Sequence, residues 1–291
     1  MSAAGLGPLL LASVLFGAMA VCVQLAARHM GPVQVACVRF AGSLVVLLVA
    51  TRARDLWPRS ASLGRLVLRG LLGAMSISCY YAGISRAGAG LATLLFGTYP
   101  VWTAVWEAVL HGDRLTGRIV AALALNLVGA VLVLGGSVQL GAGVEAGAAA
   151  ALLGGVLAGG AVATASHLRR TESASLVTIH FMAVGAILTA PSLLTGLPPL
   201  SAPLAVALVG VVLTSVCGQW LLHHGLGYVS ATTASLAAAT SVVTAACLQA
   251  LVVGEQLDAR LAVAAACMLV AIALGASGRP VAAISVAESV D

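Results

Sequence analysis

Two stretches of similar pattern decide the fold of this chain. Residues 103–134 read TAVWEAVLHGDRLTGRIVAALALNLVGAVLVL, and residues 244–274 read TAACLQALVVGEQLDARLAVAAACMLVAIAL. In each, an apolar run ends in Gly, an acid, any residue and Leu, and a second apolar run follows. A shift of 142 positions superposes the rarer residues: Gly112 on Gly254, Asp113 on Glu255, Leu115 on Leu257 and Arg118 on Arg260. Matches between uncommon residues indicate an internal duplication.

The duplication extends beyond these two turns. Two longer registers carry it: residues 81–118 lie over 223–260, and residues 14–40 lie over 155–181, with Arg28 on Arg169 and Phe40 on Phe181. We therefore predict two similar halves, residues 5–136 and 146–277, followed by a short cytoplasmic tail at 278–291.

The composition is that of a chain whose outer surface faces lipid. Of 291 residues, 61% are hydrophobic and only 8% are charged, and the mean hydropathy is +1.10. Soluble domains of this size are about 25% charged. All fourteen basic residues are Arg. A net charge of +5 in such a chain is explained by basic cytoplasmic loops, so no nucleic-acid partner is expected. The six Cys lie scattered in apolar runs, which indicates small buried hydrophobes rather than disulfides or a metal site.

Ten apolar runs have the length that a membrane helix needs, which is about 20 residues. They lie near residues 5–27, 33–50, 66–85, 87–110, 119–136, 146–166, 174–195, 203–226, 229–254 and 261–277. The predicted fold is an all-α membrane protein of ten transmembrane helices. The joins at residues 86 and 228 are tight and weakly polar, so eight or nine helices remain an alternative.

The distribution of Arg predicts the orientation. With the N-terminus inside, ten Arg are cytoplasmic: 52, 54, 59, 65, 69, 114, 118, 169, 170 and 279. Three lie outside: 28, 86 and 260. This bias predicts cytoplasmic termini in a bacterial-type inner (plasma) membrane. The N-terminal sequence lacks the basic region of a secretory signal, so its first apolar segment is expected to remain as a helix.

Each half holds an odd number of predicted helices, so the halves enter the membrane from opposite sides. Inverted repeats of this kind are typical of secondary transporters, whose substrate site lies near the midplane between the halves.

The two Gly–acid–x–Leu turns, with the apolar helices around them, resemble the EamA family of the drug/metabolite transporter superfamily. The resemblance covers about residues 6–276. It implies a ten-helix inverted-repeat fold and a secondary transporter, commonly an exporter of amino acids or other metabolites, with helices 3, 4, 8 and 9 around a central cavity. Helix 1 contains no acid, so the proton coupling that four-helix multidrug members perform with a Glu there is not expected.

Arg39 lies within predicted helix 2, about 9 Å from its outer end at 1.5 Å per residue. An Arg at this depth usually faces a partner or an aqueous cavity. It is a candidate anchor for a carboxylate or phosphate, and the alternative is an Arg that reaches the outer headgroups. Its equivalent in the second half is His180, near the opposite membrane surface.

Aromatic residues cluster in predicted helices 3 and 4. Tyr80 and Tyr81 lie in the first, and Tyr99, Trp102 and Trp106 form one stripe of the second. Tyr99 and Trp102 fall near mid-helix, where an interfacial belt is not expected. We predict an aromatic cavity wall there, with simple helix packing as the alternative.

Three further polar residues lie inside apolar runs. Gln219 and His223 share one face of predicted helix 8 by their spacing, and they are candidates for a polar cavity wall or for solvation of the helix end. Glu107 is a candidate coupling residue or a structural partner of a loop Arg. No metal site and no cofactor are expected.

The leading hypothesis is a secondary exporter of a small polar or amphipathic metabolite, such as an amino acid. Import of a vitamin, nucleoside or quaternary amine is the alternative, and a non-transporting membrane subunit is a third reading. The paired intramembrane carboxylates and nucleophile motifs of membrane enzymes are missing from the sequence, so no enzyme activity is expected. The expected partners are a small molecule and the lipid bilayer, with a homodimer left open.

Overall fold

The computed structural model describes residues 3–51, 57–58, 62–112, 115–134, 144–253 and 259–276. Its helices are α1 (Ala3–Ala26), α2 (Pro32–Ala50), α3 (Leu63–Phe96), α4 (Tyr99–His111), α5 (Gly117–Leu134), α6 (Val144–Leu168), α7 (Ala174–Thr189), a 3-10 helix (Ala190–Thr195), α8 (Ala202–Gly225), α9 (Ala231–Ala239), α10 (Ser241–Val253) and α11 (Ala259–Ala276). No strand is assigned in these residues.

The helix ends follow from local chemistry. Ser173, Ser201 and Ser230 precede α7, α8 and α9, and each side chain accepts a hydrogen bond from the backbone N–H three residues later. Such a serine satisfies one of the free N–H groups at a helix start. Helix α4 ends at Gly112, whose φ of 70° is a left-handed conformation that glycine adopts without strain.

The predicted helices agree with the structure to within a few residues, except where two of them join. Helix α3 continues past the predicted join at 86 as far as Phe96. It cannot be straight, because the rings of Tyr80 and Phe96 stack with centroids 4.2 Å apart, whereas sixteen residues of straight helix would separate them by about 24 Å.

Packing against α6 locates the reversal of α3. A Cβ on Gly147 would meet Ala87, and a Cβ on Gly155 would meet the carbonyl oxygens of Leu95 and Phe96. The chain therefore runs antiparallel to α6 up to Ala87 and parallel to it from Leu95 onward. The glycines of α6 leave the room that these close backbone approaches need.

The predicted helix at 229–254 is interrupted. Thr240 separates α9 from α10, and its counterpart under the 142-residue shift, Thr98, lies in the gap between α3 and α4. The two halves therefore interrupt a helix at the same place, and discontinuous helices of this kind mark substrate sites in many transporters. The predicted helix 174–195 also changes character, since its last six residues, Ala190–Thr195, form the 3-10 helix beginning beside Pro191.

Seven described helical segments are long and apolar enough to cross a bilayer, and 117–132 and 262–275 are shorter apolar helices. These segments make the chain a multi-pass membrane protein. The count of ten spans is not confirmed and stays a prediction. The Gly254–Glu255 turn lies outside the described residues.

The helices bury two hydrophobic clusters, one at each end of the bundle. One contains Leu9 and Ala12 of α1, and the other contains Met19, Val23 and Ala26 of the same helix. The repeat-equivalent residues Phe40 and Phe181 meet in the second cluster, edge to face, with ring centroids 5.3 Å apart. Because equivalent residues of the two halves are in contact here, the axis that relates the halves passes between these two rings.

Candidate functional site

A cavity of about 260 Å³ lies between these clusters. It is bordered by α1, α2, α3, α4, α6, α7, α8, α9 and α10, and it adjoins both helix interruptions, at Gly97 and at Ala239–Ser241. Its polar lining consists of Gln24, Arg39, Arg69, Ser76, Tyr80, Tyr81, Tyr99, Gln219 and Ser241. The cavity extends as far as Ala27, which is exposed at the end of the bundle where α1 stops.

Arg39 of α2 is only 1% exposed. Its Nε donates a hydrogen bond of 2.6 Å to Ser215 Oγ of α8, and no described residue accepts from its Nη1. The Tyr81 hydroxyl lies beside the guanidinium, but its geometry for a hydrogen bond to any described group is poor. The structure thus holds Arg39 by one N–H and leaves another without an acceptor.

Arg69 of α3 is a second buried guanidinium. The distribution of Arg predicts that it lies in a cytoplasmic segment, but it is 3% exposed and lines the cavity. Its Nη2 lies 3.1 Å from His223 Nε2, and its Cζ lies 4.2 Å from the centre of the Phe181 ring. Among the described residues, none accepts from Nε or Nη1. Arg39 and Arg69 both line the same cavity.

The protonation of His223 follows from its partners. Arg69 can only donate, so His223 Nε2 accepts and the ring is neutral. The proton then resides on Nδ1, which donates to Thr178 Oγ1 at 2.7 Å. The Thr178 hydroxyl in turn donates to the Ala174 carbonyl at 2.7 Å. Fully buried and behind the cavity wall, His223 acts as a fixed acceptor that orients Arg69.

An aromatic row covers one side of the cavity. Tyr80 stacks on Phe96 at 4.2 Å, and Phe96 lies 5.8 Å from Tyr99. The Tyr99 hydroxyl donates to the Ser235 carbonyl at 2.8 Å, which links α4 to α9. Phe96 reaches this row only because α3 reverses.

Five of the predicted site residues line the cavity: Arg39, Tyr80, Tyr81, Tyr99 and Gln219. His223 stands behind its wall. Trp102 does not line it, since its indole N–H donates to Thr98 and its Cβ packs on Gly159 of α6. His180 is half-buried with its Nδ1 near the Leu176 carbonyl, and Glu107 is buried in α4, both outside the lining.

The cavity has an uneven charge balance. Within the described part of the chain its lining holds two Arg and no acid. The described acids lie elsewhere: Glu107 in α4, Glu145 at the start of α6 and Glu172 between α6 and α7. Glu172 accepts a 2.5 Å hydrogen bond from Ser62 and so helps to close the opposite end of the bundle. The same described residues contain no group of three or more potential metal ligands.

A multi-pass helical chain with a duplicated architecture and a cavity at two equivalent helix interruptions has the features of a membrane transporter. The model of the EamA-like transporter family matches residues 3–135 and 145–276. The chain belongs to this family of small-molecule transporters, one match falling on each predicted half.

A solved structure described only as the crystal structure of a protein is similar in fold. The TM-score is 0.74 at 20% sequence identity, and the alignment covers 94% of this chain and 96% of that one. At this identity the likeness concerns the fold alone. No curated protein matches the sequence.

Proposed function

We propose that this protein is a secondary transporter that exports a small carboxylate-bearing metabolite, such as an amino acid or a related compound. The observation that carries the proposal is Arg39, a cavity-lining residue whose buried Nη1 has no acceptor among the described residues. A carboxylate is the common metabolite group that a guanidinium binds best, through paired charge-assisted hydrogen bonds.

The aromatic row supports a solute that has an apolar carbon skeleton beside its carboxylate. The rings of Tyr80 and Phe96 present apolar faces in the same cavity that Arg39 and Arg69 line. The volume of about 260 Å³ lies just below the range of about 300–1,000 Å³ typical of ligand pockets, which favours a small metabolite. A quaternary amine is disfavoured, because two Arg and no acid in the described lining would repel a cation.

The architecture supports transport by alternating access. The cavity lies where the two repeats meet, and rocking of one repeat against the other would open it to the two membrane sides in turn. The Arg distribution supports a bacterial-type inner membrane with both termini in the cytoplasm. Export is the direction that the family resemblance favours.

The test is flux in proteoliposomes that contain the purified full chain. Vesicles are loaded with labelled amino acids, organic acids, nucleosides or quaternary amines, and release and uptake are both measured. We expect saturable flux of a carboxylate-bearing solute, reduced at least about tenfold by Arg39→Ala, as loss of a charged hydrogen bond predicts. Arg28→Ala, which removes an exposed Arg at the end of the α1 region, should leave the flux unchanged. Absence of flux for every solute would refute the proposal.

A further inference from the structure

Within the described residues, four buried polar atoms of cavity-lining side chains have no hydrogen-bond partner. They are Arg39 Nη1, Arg69 Nε and Nη1, and the Tyr81 hydroxyl. Buried polar groups in proteins are nearly always hydrogen-bonded, because leaving one unpaired is costly. Three of these atoms are N–H groups that can only donate. A ligand that satisfies them must therefore supply several acceptor oxygens.

The surrounding hydrogen bonds fix the two guanidiniums without neutralising them. Arg39 is held by the Ser215 hydroxyl and Arg69 by the neutral ring of His223. Both partners come from α8, and neither carries a negative charge. Arg69 also lies over the face of Phe181, which orients the guanidinium plane. The chain thus places two cationic side chains in the lining of one cavity, each held by a neutral partner.

Charge balance then sets the ligand charge. Two guanidiniums and no acid in the described lining give the cavity two positive charges. A zwitterion would add none, and its ammonium group would be placed near two cations. A monoanion would leave one charge unbalanced. A dianion neutralises both, and charged groups at membrane depth are tolerated where they are paired.

We infer that the cavity selects a small organic dianion, either a dicarboxylate or a phosphate monoester, whose two negative charges are shared between Arg39 and Arg69. This inference rests on the proposed transport function and narrows its solute class from carboxylate-bearing metabolites in general to those with two negative charges, which excludes simple zwitterionic amino acids. Arg69 is the residue that sets the preference for a second negative charge, and His223 positions it.

Binding of a matched set of compounds tests the inference. The full chain in detergent, at neutral pH and constant ionic strength, is titrated with succinate, butyrate, 4-aminobutyrate and glycerol 3-phosphate, and binding is read from thermal stabilisation. The first three share a four-carbon backbone and differ in charge. We expect a dianion to bind at least about tenfold more tightly than butyrate, as one additional charge-assisted contact predicts. Comparison of succinate with glycerol 3-phosphate distinguishes a dicarboxylate site from a phosphate site.

The variant Arg69→Gln should lower the ratio of dianion to butyrate affinity towards one, while butyrate still binds to Arg39. Arg69→Lys keeps the charge and should keep part of the preference, which separates charge recognition from a folding defect. Arg65→Gln, an exposed position one turn earlier in the same helix, is the control and should leave the ratio unchanged. A dianion preference that survives Arg69→Gln overturns the inference.

The two proposals fail in different ways. Equal or tighter binding of butyrate or 4-aminobutyrate, or no binding of either dianion, overturns the dianion site, even if the vesicle assay shows flux of another solute. Selective dianion binding that depends on Arg69, with no flux in vesicles, would support the site and refute transport.

Discussion

Replacing Gly73 by Ala tests whether the Arg69 guanidinium must lie where the structure places it. Gly73 follows Arg69 by one turn of α3 and lines the cavity. A Cβ at this position would lie 2.2 Å from Arg69 Nη1 and 2.6 Å from Phe181 Cε2. Neither separation is sterically possible. The flexible end of Arg69 has to move, and the Phe181 ring with it.

The expected loss of stability is small, whereas the expected loss of ligand affinity is large. Ala is favoured over Gly inside a helix by up to about 1 kcal/mol, and overpacking of this kind costs about 1–3 kcal/mol. The two effects oppose each other, so we expect destabilisation of no more than about 2 kcal/mol. Displacing the guanidinium removes a charged hydrogen bond to the ligand, worth about 1.5–3 kcal/mol, which corresponds to a loss of affinity of roughly 10- to 150-fold.

The assay is the thermal-stabilisation titration with succinate and glycerol 3-phosphate. Gly64→Ala is the matched control, because it lies in the same helix and a Cβ there meets no atom within 4 Å. We expect Gly64→Ala to bind as the parent protein does and Gly73→Ala to bind both dianions more weakly. A Gly73→Ala protein that keeps the parent affinity for dianions would refute the placement of Arg69 in the ligand site.

Three further predictions address the positioning of the site. His223→Phe removes the acceptor of Arg69 and should lower the thermal stability in detergent by the equivalent of about 1–3 kcal/mol, whereas His223→Gln, whose side-chain oxygen can still accept, should lose less; equal losses would contradict the acceptor role. Tyr99→Phe removes the link between α4 and α9 and should cost about 0.5–1.5 kcal/mol, measured by the same unfolding assay; no loss would show that this link does not stabilise the bundle. Glu172→Gln weakens the hydrogen bond at the N-terminus of α3 and should increase hydrogen–deuterium exchange in residues 63–70, which Glu145→Gln, at an exposed position, should not do; matching exchange in the two variants would contradict this role of Glu172.

The sequence predicted the helices well because long apolar runs are a local signal. The start of α7 at Ala174 was predicted to the residue, and the run that contains Arg39 was identified as α2. The reversal of α3 between Ala87 and Leu95 was harder to locate, since Thr93 is the only polar residue in the sequence of 88–94. Packing against the glycines of α6 places that turn, and such packing is not a local signal.

Arg69 was missed for a related reason. It lies near the start of α3, where an Arg usually reaches the cytoplasmic headgroups, and charge counting alone assigns it there. Its burial depends on distant residues: Gly73 leaves room beside it, Phe181 lies under it, and His223 accepts its hydrogen bond. A glycine one turn after an Arg in a membrane helix is the one sequence feature that pointed to an inward-directed side chain.

The two halves share a fold but do not contribute the same residues to the cavity. Arg39 aligns with His180, which lies outside the cavity lining. At this position, therefore, only the first half places a cation in the cavity. Both guanidiniums belong to the first half, and both donate their orienting hydrogen bond to α8 of the second half, at Ser215 and His223. Movement of one half against the other would break both hydrogen bonds together. Under the proposed transport function, the same rocking that changes access to the cavity would therefore also loosen the anion site. Release of the solute would then follow from the geometry of the interface between the two halves.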